Sequence, residues 1–300
     1  MQTYTTPGKT RIVVNNPAGV VEILGEGSGT TTVDLVPHGS DGEGVAAETT
    51  VTCTEAGGVS VVTINLPSQR SFPRRRSGLD VIVTAPEGAD VEVGTSGSER
   101  GILSLTRGGG GEIRLRGTVG DVDVALPSAD LSAQSVSGSL GVKTASGDVD
   151  VDLVEGPVKI RTVSGDVSFE TLNDDASLTL VSGDVSVTTA NDHVDVTSVS
   201  GDVSITDAHA GVSVKSTSGD VMVRRAWSGT VRVATVSGDV AVGIPAGRGV
   251  DVDARSMSGD LSSEIDLDGE RGGGDGTVVR VTAHSVSGDV EILRAAVQST

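Results

Sequence analysis

A Ser-Gly-Asp triplet followed by alternating apolar residues recurs through the second half of this chain at a nearly constant spacing. Successive glycines of the triplet are separated by steps of 18, 18, 18, 18, 19, 21 and 29 residues. A unit this short cannot bury a core by itself, so the repeat predicts similar coils that stack on one another as a solenoid. The triplets begin at Ser146, Ser164, Ser182, Ser200, Ser218, Ser237, Ser258 and Ser287.

Each repeat contains two short runs in which apolar and polar residues alternate, as they do in β-strands. In one repeat Val185 and Val187 form the first run, and Val194 and Val196 form the second. The pattern therefore predicts an all-β fold, a parallel β-solenoid or β-helix with coils of about 18 residues. The two runs start nine residues apart, unlike the six-residue period of left-handed hexapeptide helices, and the crossover rule then favours a right-handed solenoid.

A further apolar position directly precedes the triplet, as at Val163, Val181 and Val199, and predicts a bend or a third short face in each coil.

We expect one continuous domain in two parts. Residues 1–116 would form irregular N-terminal coils with long loops that cap the stack, and residues 117–300 would form the regular repeat array with a C-terminal cap. Glu291 to Thr300 are expected to cover the last coil.

Composition excludes several classes of function. The net charge is −19, and residues 117–300 carry −16 of it, from 28 acidic and 12 basic residues. This charge opposes binding to nucleic acid or anionic lipid and favours cations or basic partners. Cys53 is the only cysteine, so the chain has no intramolecular disulfide and no Cys-x-x-Cys metal site.

The N-terminal residues give an expectation about location. Residues 1–20 lack the apolar stretch of a signal peptide, and the sequence contains no apolar run long enough to insert into a bilayer. We expect a cytoplasmic protein, with association to the envelope through a partner as the alternative.

The repeated aspartates form the first candidate site. Parallel stacking would place their carboxylates about 4.8 Å apart, and calcium could bridge neighbouring carboxylates. One Asp per repeat supplies few oxygen ligands, so we favour the alternative that each Asp, with its Ser, hydrogen-bonds turn backbone groups beside a glycine and stays solvated, and we expect no cofactor. The calcium candidates are Asp166, Asp184, Asp202 and Asp220.

Two further features are candidates for docking a partner protein. One is the basic segment Arg70, Phe72, Arg74, Arg75 and Arg76, which stands out in an acidic chain and could bind an acidic surface. The other is Trp227, which the repeat places at a corner of a coil, where an exposed aromatic could bind a partner or a sugar.

No arrangement of residues in the sequence is typical of catalysis. The chain has neither a Gly-x-Ser-x-Gly segment around a serine nucleophile nor a Cys-His pair. Enzymes of the β-helix type that act on polysaccharides line a groove with aromatics, whereas aromatics make up 1% of this chain. We therefore expect a protein that is not an enzyme.

The repeated Val-Ser-Gly-Asp-Val-x-Val, as in residues 181–187 and 199–205, resembles the bacterial putative-adhesin β-strand-repeat family, a domain of unknown function. The resemblance implies a β-solenoid without enzymatic activity that is often tied to the bacterial envelope or to adhesion. Together, the repeat and the resemblance favour an adhesin-like scaffold for protein–protein interaction or self-assembly. The alternatives are a calcium-stabilised solenoid and a β-helix protein that binds or cleaves glycans.

Overall fold

The computed structural model describes residues 1–17, 19–27, 29–39, 42–67, 78–95, 110–265 and 278–295. Within these ranges the chain is all-β apart from one short helix, and the predicted parallel β-solenoid is confirmed. The chain divides into two compact units. Unit 1 comprises Met1–Gly156 and Ile160–Thr162, and unit 2 comprises Pro157–Lys159 and Val163–Thr300. The right-handedness and the boundary at residues 116 and 117 stay predictions.

Unit 1 contains α1 (Gly42–Glu48) and the first twelve strands of the described chain. They are β1 (Gln2–Thr5), β2 (Lys9–Asn15), β3 (Val21–Gly27), β4 (Thr30–His38), β5 (Thr50–Ala56), β6 (Val59–Asn65), β7 (Gly78–Pro86), β8 (Asp90–Gly94), β9 (Gly110–Val119), β10 (Val122–Val136), β11 (Leu140–Ser146) and β12 (Val149–Val154). The division between the units falls within β13 (Val158–Arg161).

Two rows of parallel strands build unit 1. The first row runs β6, β2, β8, β10, β11, and the second runs β7, β3, β9, β10, β12. Strand β10 belongs to both rows because its first half pairs in one and its second half in the other. Antiparallel strands cover the outer edges, β5 on β6 and β4 on β7, with β1 beyond β4. Covered edges cannot recruit further strands.

Unit 2 contains the strands of the regular repeats. They are β14 (Val167–Leu172), β15 (Ala176–Thr179), β16 (Val185–Ala190), β17 (Val194–Thr197), β18 (Val203–Ala208), β19 (Val212–Lys215), β20 (Val221–Ala226), β21 (Thr230–Ala234), β22 (Val240–Pro245), β23 (Gly249–Ser258), β24 (Leu261–Ser263), β25 (Val278–Ser287) and β26 (Val290–Ala295). Equivalent residues pair in register; for example, Val185 lies beside Val203. The apolar side chains that the repeat places inward form the buried core.

The order of the last coils in unit 2 differs from their order in the chain. Strand β26 lies between β22 and β24, and β25 lies between β21 and β23. The expectation that Glu291 to Thr300 cover the last coil is therefore wrong for the described residues 291–295. The short strand β24 lies outside them.

A third short face exists in unit 2, but its apolar column points outward. Single parallel bridges link Ser164, Ser182, Ser200, Ser218, Ser237 and Ser287 in turn. The valines before these serines are exposed, whereas the residues before the valines are buried. The buried residues are Thr162, Leu180, Ser198, Ser216, Thr235 and Ser285 in successive coils, and Ser216 precedes the exposed Thr217 in place of a valine. The helical part of the described chain is too short to cross a membrane.

Candidate interaction surfaces

The repeated aspartates of unit 2 form a hydrogen-bonded column, which we call the aspartate ladder. At each step the backbone N–H of one Asp donates to Oδ1 of the Asp in the adjacent coil, at 2.8 Å. The ladder consists of Asp166, Asp184, Asp202, Asp220, Asp239, Asp289 and Asp260 in this spatial order. The carboxylates therefore tie each turn to the next coil, and they are also exposed to solvent.

Two features require glycine beside the ladder carboxylate of Asp202. Gly201 has φ +123°, a conformation that residues with a Cβ rarely adopt. A Cβ at Gly201 would also lie 2.1 Å from the carbonyl oxygen of Gly183 in the preceding coil. The Ser-Gly-Asp repeat thus encodes close stacking of turns. Calcium binding by Asp166, Asp184, Asp202 and Asp220 is the less favoured of the two sequence-based alternatives, and it stays untested.

Unit 1 contains a shorter arrangement of the same kind. Oδ1 of the buried Asp90 accepts the backbone N–H of Asp121 at 3.2 Å, and Lys9 Nζ lies 3.1 Å from Oδ2 of Asp90. Oδ1 of Asp121 accepts the backbone N–H and the hydroxyl of Ser139, and these two bonds lower the pKa of Asp121. The sequence did not single out Asp90, because no Ser-Gly precedes it.

An acidic cluster that sequence reasoning missed lies at a corner of unit 2. Carboxylate oxygens of Asp174, Asp175 and Asp192 lie within 4.8 Å of one another. Two of these side chains cap their own turns, since Asp174 accepts the N–H of Asp175 and Asp192 accepts the N–H of His193. Turn capping accounts for both of these side chains.

Exposed apolar side chains form a line along the third face of unit 2, which we call the valine stripe. It comprises Val163, Val181, Val199, Val236, Val286 and Met257, which are exposed by 47, 45, 48, 50, 44 and 84% respectively. Thr217 occupies the equivalent place between Val199 and Val236. Each stripe valine lies three residues before a ladder aspartate, so the two columns run side by side.

A second surface feature surrounds Trp227 at a corner of unit 2, and we call it the Trp227 corner. Arg225 binds Asp207 through two hydrogen bonds, from Nε at 2.6 Å and from Nη2 at 2.5 Å. The indole Nε1–H of Trp227 donates to Oδ1 of the same carboxylate at 2.9 Å. Arg225 thus holds the carboxylate of Asp207, and the hydrogen bond that Nε1–H donates to that carboxylate restrains the indole ring.

The indole ring of Trp227 is flanked by two more side chains. The His209 ring is stacked on it, with a centroid distance of 5.9 Å and an interplanar angle of 5°. The guanidinium carbon of Arg248 lies 5.9 Å from the centroid of the indole ring, within the range of a cation–π contact. The corner thus combines a half-buried aromatic with cationic groups on an acidic chain.

The electrostatics of the Trp227 corner favour the ionised pair. Burial acts to raise the pKa of Asp207, but the hydrogen bonds from Arg225 and Trp227 outweigh it, so that pKa lies below the usual carboxyl value. The hydrogen bond to Asp207 correspondingly raises the pKa of Arg225. The Arg225–Asp207 ion pair therefore persists across the neutral pH range.

Of the docking residues predicted from the sequence, only Trp227 lies within the described residues. Trp227 lies at a corner, as the repeat indicates, and His209 could have been found from the same signal because both residues follow a repeat glycine by eight positions. Arg248 follows the less regular part of the repeat and carried no such signal. Arg70, Phe72, Arg74, Arg75 and Arg76 lie outside the described residues, and docking there stays a prediction.

Comparison with known families gives a match over most of the chain. The model of the family Toastrack DUF4097 matches residues 26–210 and, in a second overlapping match, residues 174–293. A search of curated proteins finds no match.

Two of the solved structures that resemble this chain have low sequence identity to it. One is a putative cell adhesion protein from Clostridium sporogenes, with 12% identity, a TM-score of 0.24 and coverage of 98% of both chains. The other is a putative adhesin from Bacteroides fragilis, with 12% identity, a TM-score of 0.38 and coverage of 97% of this chain and 95% of that one.

Proposed function

The chain belongs to the Toastrack DUF4097 family, and on that premise we propose that it is a non-enzymatic, adhesin-like scaffold that recognises a protein partner through the Trp227 corner. Binding energy at protein interfaces is concentrated in a few residues, among which Trp and Arg are enriched. The corner presents Trp227 between His209 and Arg248. That arrangement is the observation that carries the proposal.

Preorganisation of the corner is the physical reason why it suits recognition. A side chain that is already fixed in its bound orientation loses little conformational entropy when a partner binds. Trp227 is fixed by its hydrogen bond to Asp207, and Asp207 is fixed in turn by Arg225. The parallel pairing of β18 with β20 places Asp207 beside Arg225, so the backbone holds the two partners together.

Crosslinking in native cells tests this proposal. The tagged chain is crosslinked, purified and mapped by mass spectrometry as wild type, as Trp227→Ala and as Met222→Ala. Met222 is a matched control because it lies on strand β20, which ends directly before Trp227, and is 43% exposed. We expect one partner that is linked near the corner, retained by Met222→Ala and lost by Trp227→Ala, with an unchanged circular dichroism spectrum.

Two other outcomes are informative. Links at the corner between two copies of the chain would identify the partner as a second copy, which is the self-assembly form of the proposal. Partners that are recovered equally with wild type and Trp227→Ala, or that are linked only elsewhere, would refute recognition through this corner.

A further inference from the structure

The valine stripe is an apolar surface that the fold of unit 2 leaves uncovered. Hydrophobic burial normally turns valine inward, yet in successive coils the fold buries Ser198, Ser216 and Thr235 and exposes the neighbouring Val199 and Val236. The exposed positions recur in seven adjacent coils, from Val163 to Met257. Six of these seven positions are apolar, and Thr217 interrupts the line. Exposed apolar side chains gathered along one face mark an interaction site more often than scattered apolar residues do.

The charge beside the stripe differs between its two flanks. On one flank runs the aspartate ladder, with an exposed carboxylate in every coil from Asp166 to Asp289. On the other flank, two positions before each stripe residue, lie exposed side chains of mixed character. In successive coils these are Arg161, Thr179, Thr197, Lys215, Ala234, His284 and Arg255, none of which is acidic. A complementary partner must therefore carry positive charge along one side of its apolar face only.

The spacing of the stripe selects the secondary structure of that partner. Neighbouring coils repeat at about 4.8 Å, so seven coils span about 29 Å. An α-helix repeats its apolar face every 5.4 Å or so, whereas alternate residues of an extended strand are about 6.7 Å apart. The helix is the closer match, and about 19 residues of it would cover the stripe.

From these observations we propose that the valine stripe and the aspartate ladder together bind a basic amphipathic α-helix of a partner protein, with its apolar face on the valines and its Lys or Arg residues against the carboxylates. This extends the proposed function, since it rests on the chain being a protein-recognition scaffold, but it uses a surface separate from the Trp227 corner. The ladder would then have two roles, because Oδ1 joins the coils while the exposed carboxylates attract the helix.

A fluorescently labelled synthetic peptide tests the proposal on the full chain. The probe is an amphipathic helix of about 19 residues, with leucines on one face and lysines along one flank; the matched control peptide has glutamates in place of the lysines. Fluorescence anisotropy measures the dissociation constant at low and high salt. We expect the lysine peptide to bind, the glutamate peptide not to bind, and added salt to weaken binding.

Two pairs of substitutions locate the binding surface without disturbing the fold. The double variant Val199→Thr, Val236→Thr keeps the side-chain shape at exposed positions and removes two methyl groups from the stripe; we expect about tenfold weaker binding. The double variant Asp184→Asn, Asp202→Asn keeps each Oδ1 as a hydrogen-bond acceptor and removes only charge. We expect about threefold weaker binding and a smaller effect of salt.

The outcomes separate this proposal from the proposed function. If the peptide does not bind, or if it binds both double variants as tightly as wild type, the stripe is not the docking surface, whereas crosslinks that depend on Trp227 would still stand. If analytical ultracentrifugation shows that the wild-type chain dimerises and the Val→Thr variant does not, a second copy covers the stripe and the helix proposal is overturned.

Discussion

Replacing Gly201 by alanine tests the argument that the Ser-Gly-Asp turns stack too closely for any side chain. Gly201 has φ +123°, and forcing an L-residue into such a conformation costs about 1–3 kcal/mol. A Cβ would lie 2.1 Å from the oxygen and 2.7 Å from the carbon of the Gly183 carbonyl group, so the coils must separate.

The separation of the coils adds a second cost. Bonds between this turn and the preceding coil run from Ser200 N to Val181 O at 2.9 Å, from Asp202 N to Asp184 Oδ1 at 2.8 Å and from Val185 N to Asp202 O at 2.9 Å. Each contributes about 0.5–1.5 kcal/mol. With the backbone strain included, we expect Gly201→Ala to lower the free energy of unfolding by about 3–6 kcal/mol.

A matched control separates the two costs. Gly247 also has a positive φ, +83°, but a Cβ there would meet nothing within 4 Å. Gly247→Ala should therefore cost only about 1–2 kcal/mol of backbone strain. Guanidinium unfolding, followed by the fluorescence of the single tryptophan and by circular dichroism, measures both variants. Equal losses of stability for Gly201→Ala and Gly247→Ala would refute the close-stacking argument.

Three further predictions concern the carboxylates. Asp184→Ala should lower the free energy of unfolding by about 1–2 kcal/mol because it leaves a backbone N–H without its acceptor. Asp184→Asn should lower it by less than about 0.5 kcal/mol because Oδ1 remains as an acceptor. Urea unfolding measures both variants. The pKa of Asp207 is lowered in the folded chain, so ionised Asp207 stabilises the fold. This contribution is complete above the unfolded carboxyl pKa near 4 and is lost as the pH falls through the folded pKa. Arg225→Met should weaken this dependence of the free energy of unfolding on pH. If wild type and Arg225→Met lose stability equally as the pH is lowered, the prediction is wrong. Finally, chelating calcium should leave the thermal unfolding midpoint unchanged, since the ladder oxygens already accept backbone N–H groups, and a large drop would instead favour the calcium-stabilised alternative.

The repeat predicted the core of unit 2 because apolar alternation and burial follow the same period. Val185, Val187, Val194 and Val196 are at most 1% exposed, as the two runs of alternating residues indicate. Parallel pairing in register follows as well, since equal spacing places identical residues beside one another. The position of Trp227 at a corner belongs to the same pattern.

The orientation of the valine stripe could not be predicted in this way. Leu180 and Val181 are adjacent and both apolar, so hydropathy does not indicate which one faces the core; Leu180 is 2% exposed and Val181 is 45% exposed. In the next coil the inward residue is Ser198, whose hydroxyl donates to the carbonyl of Ser200 at 3.2 Å. A buried hydroxyl with a backbone acceptor is tolerated, so the usual relation between polarity and exposure is reversed there.

By itself, then, the sequence determined the coil, its two main strands, its glycine turns and the acidic character of the array. Only the tertiary structure decided the order of the coils at the two extremes of the chain, where β2 lies between β6 and β8 and β26 lies between β22 and β24. The physical reason is that strands with the same apolar pattern can pair with any neighbour of that pattern. The repeat therefore predicts that coils pair with other coils of the same pattern, but it does not predict which coil lies outermost. That choice depends on how the exposed strand edges are covered and how the apolar core is buried.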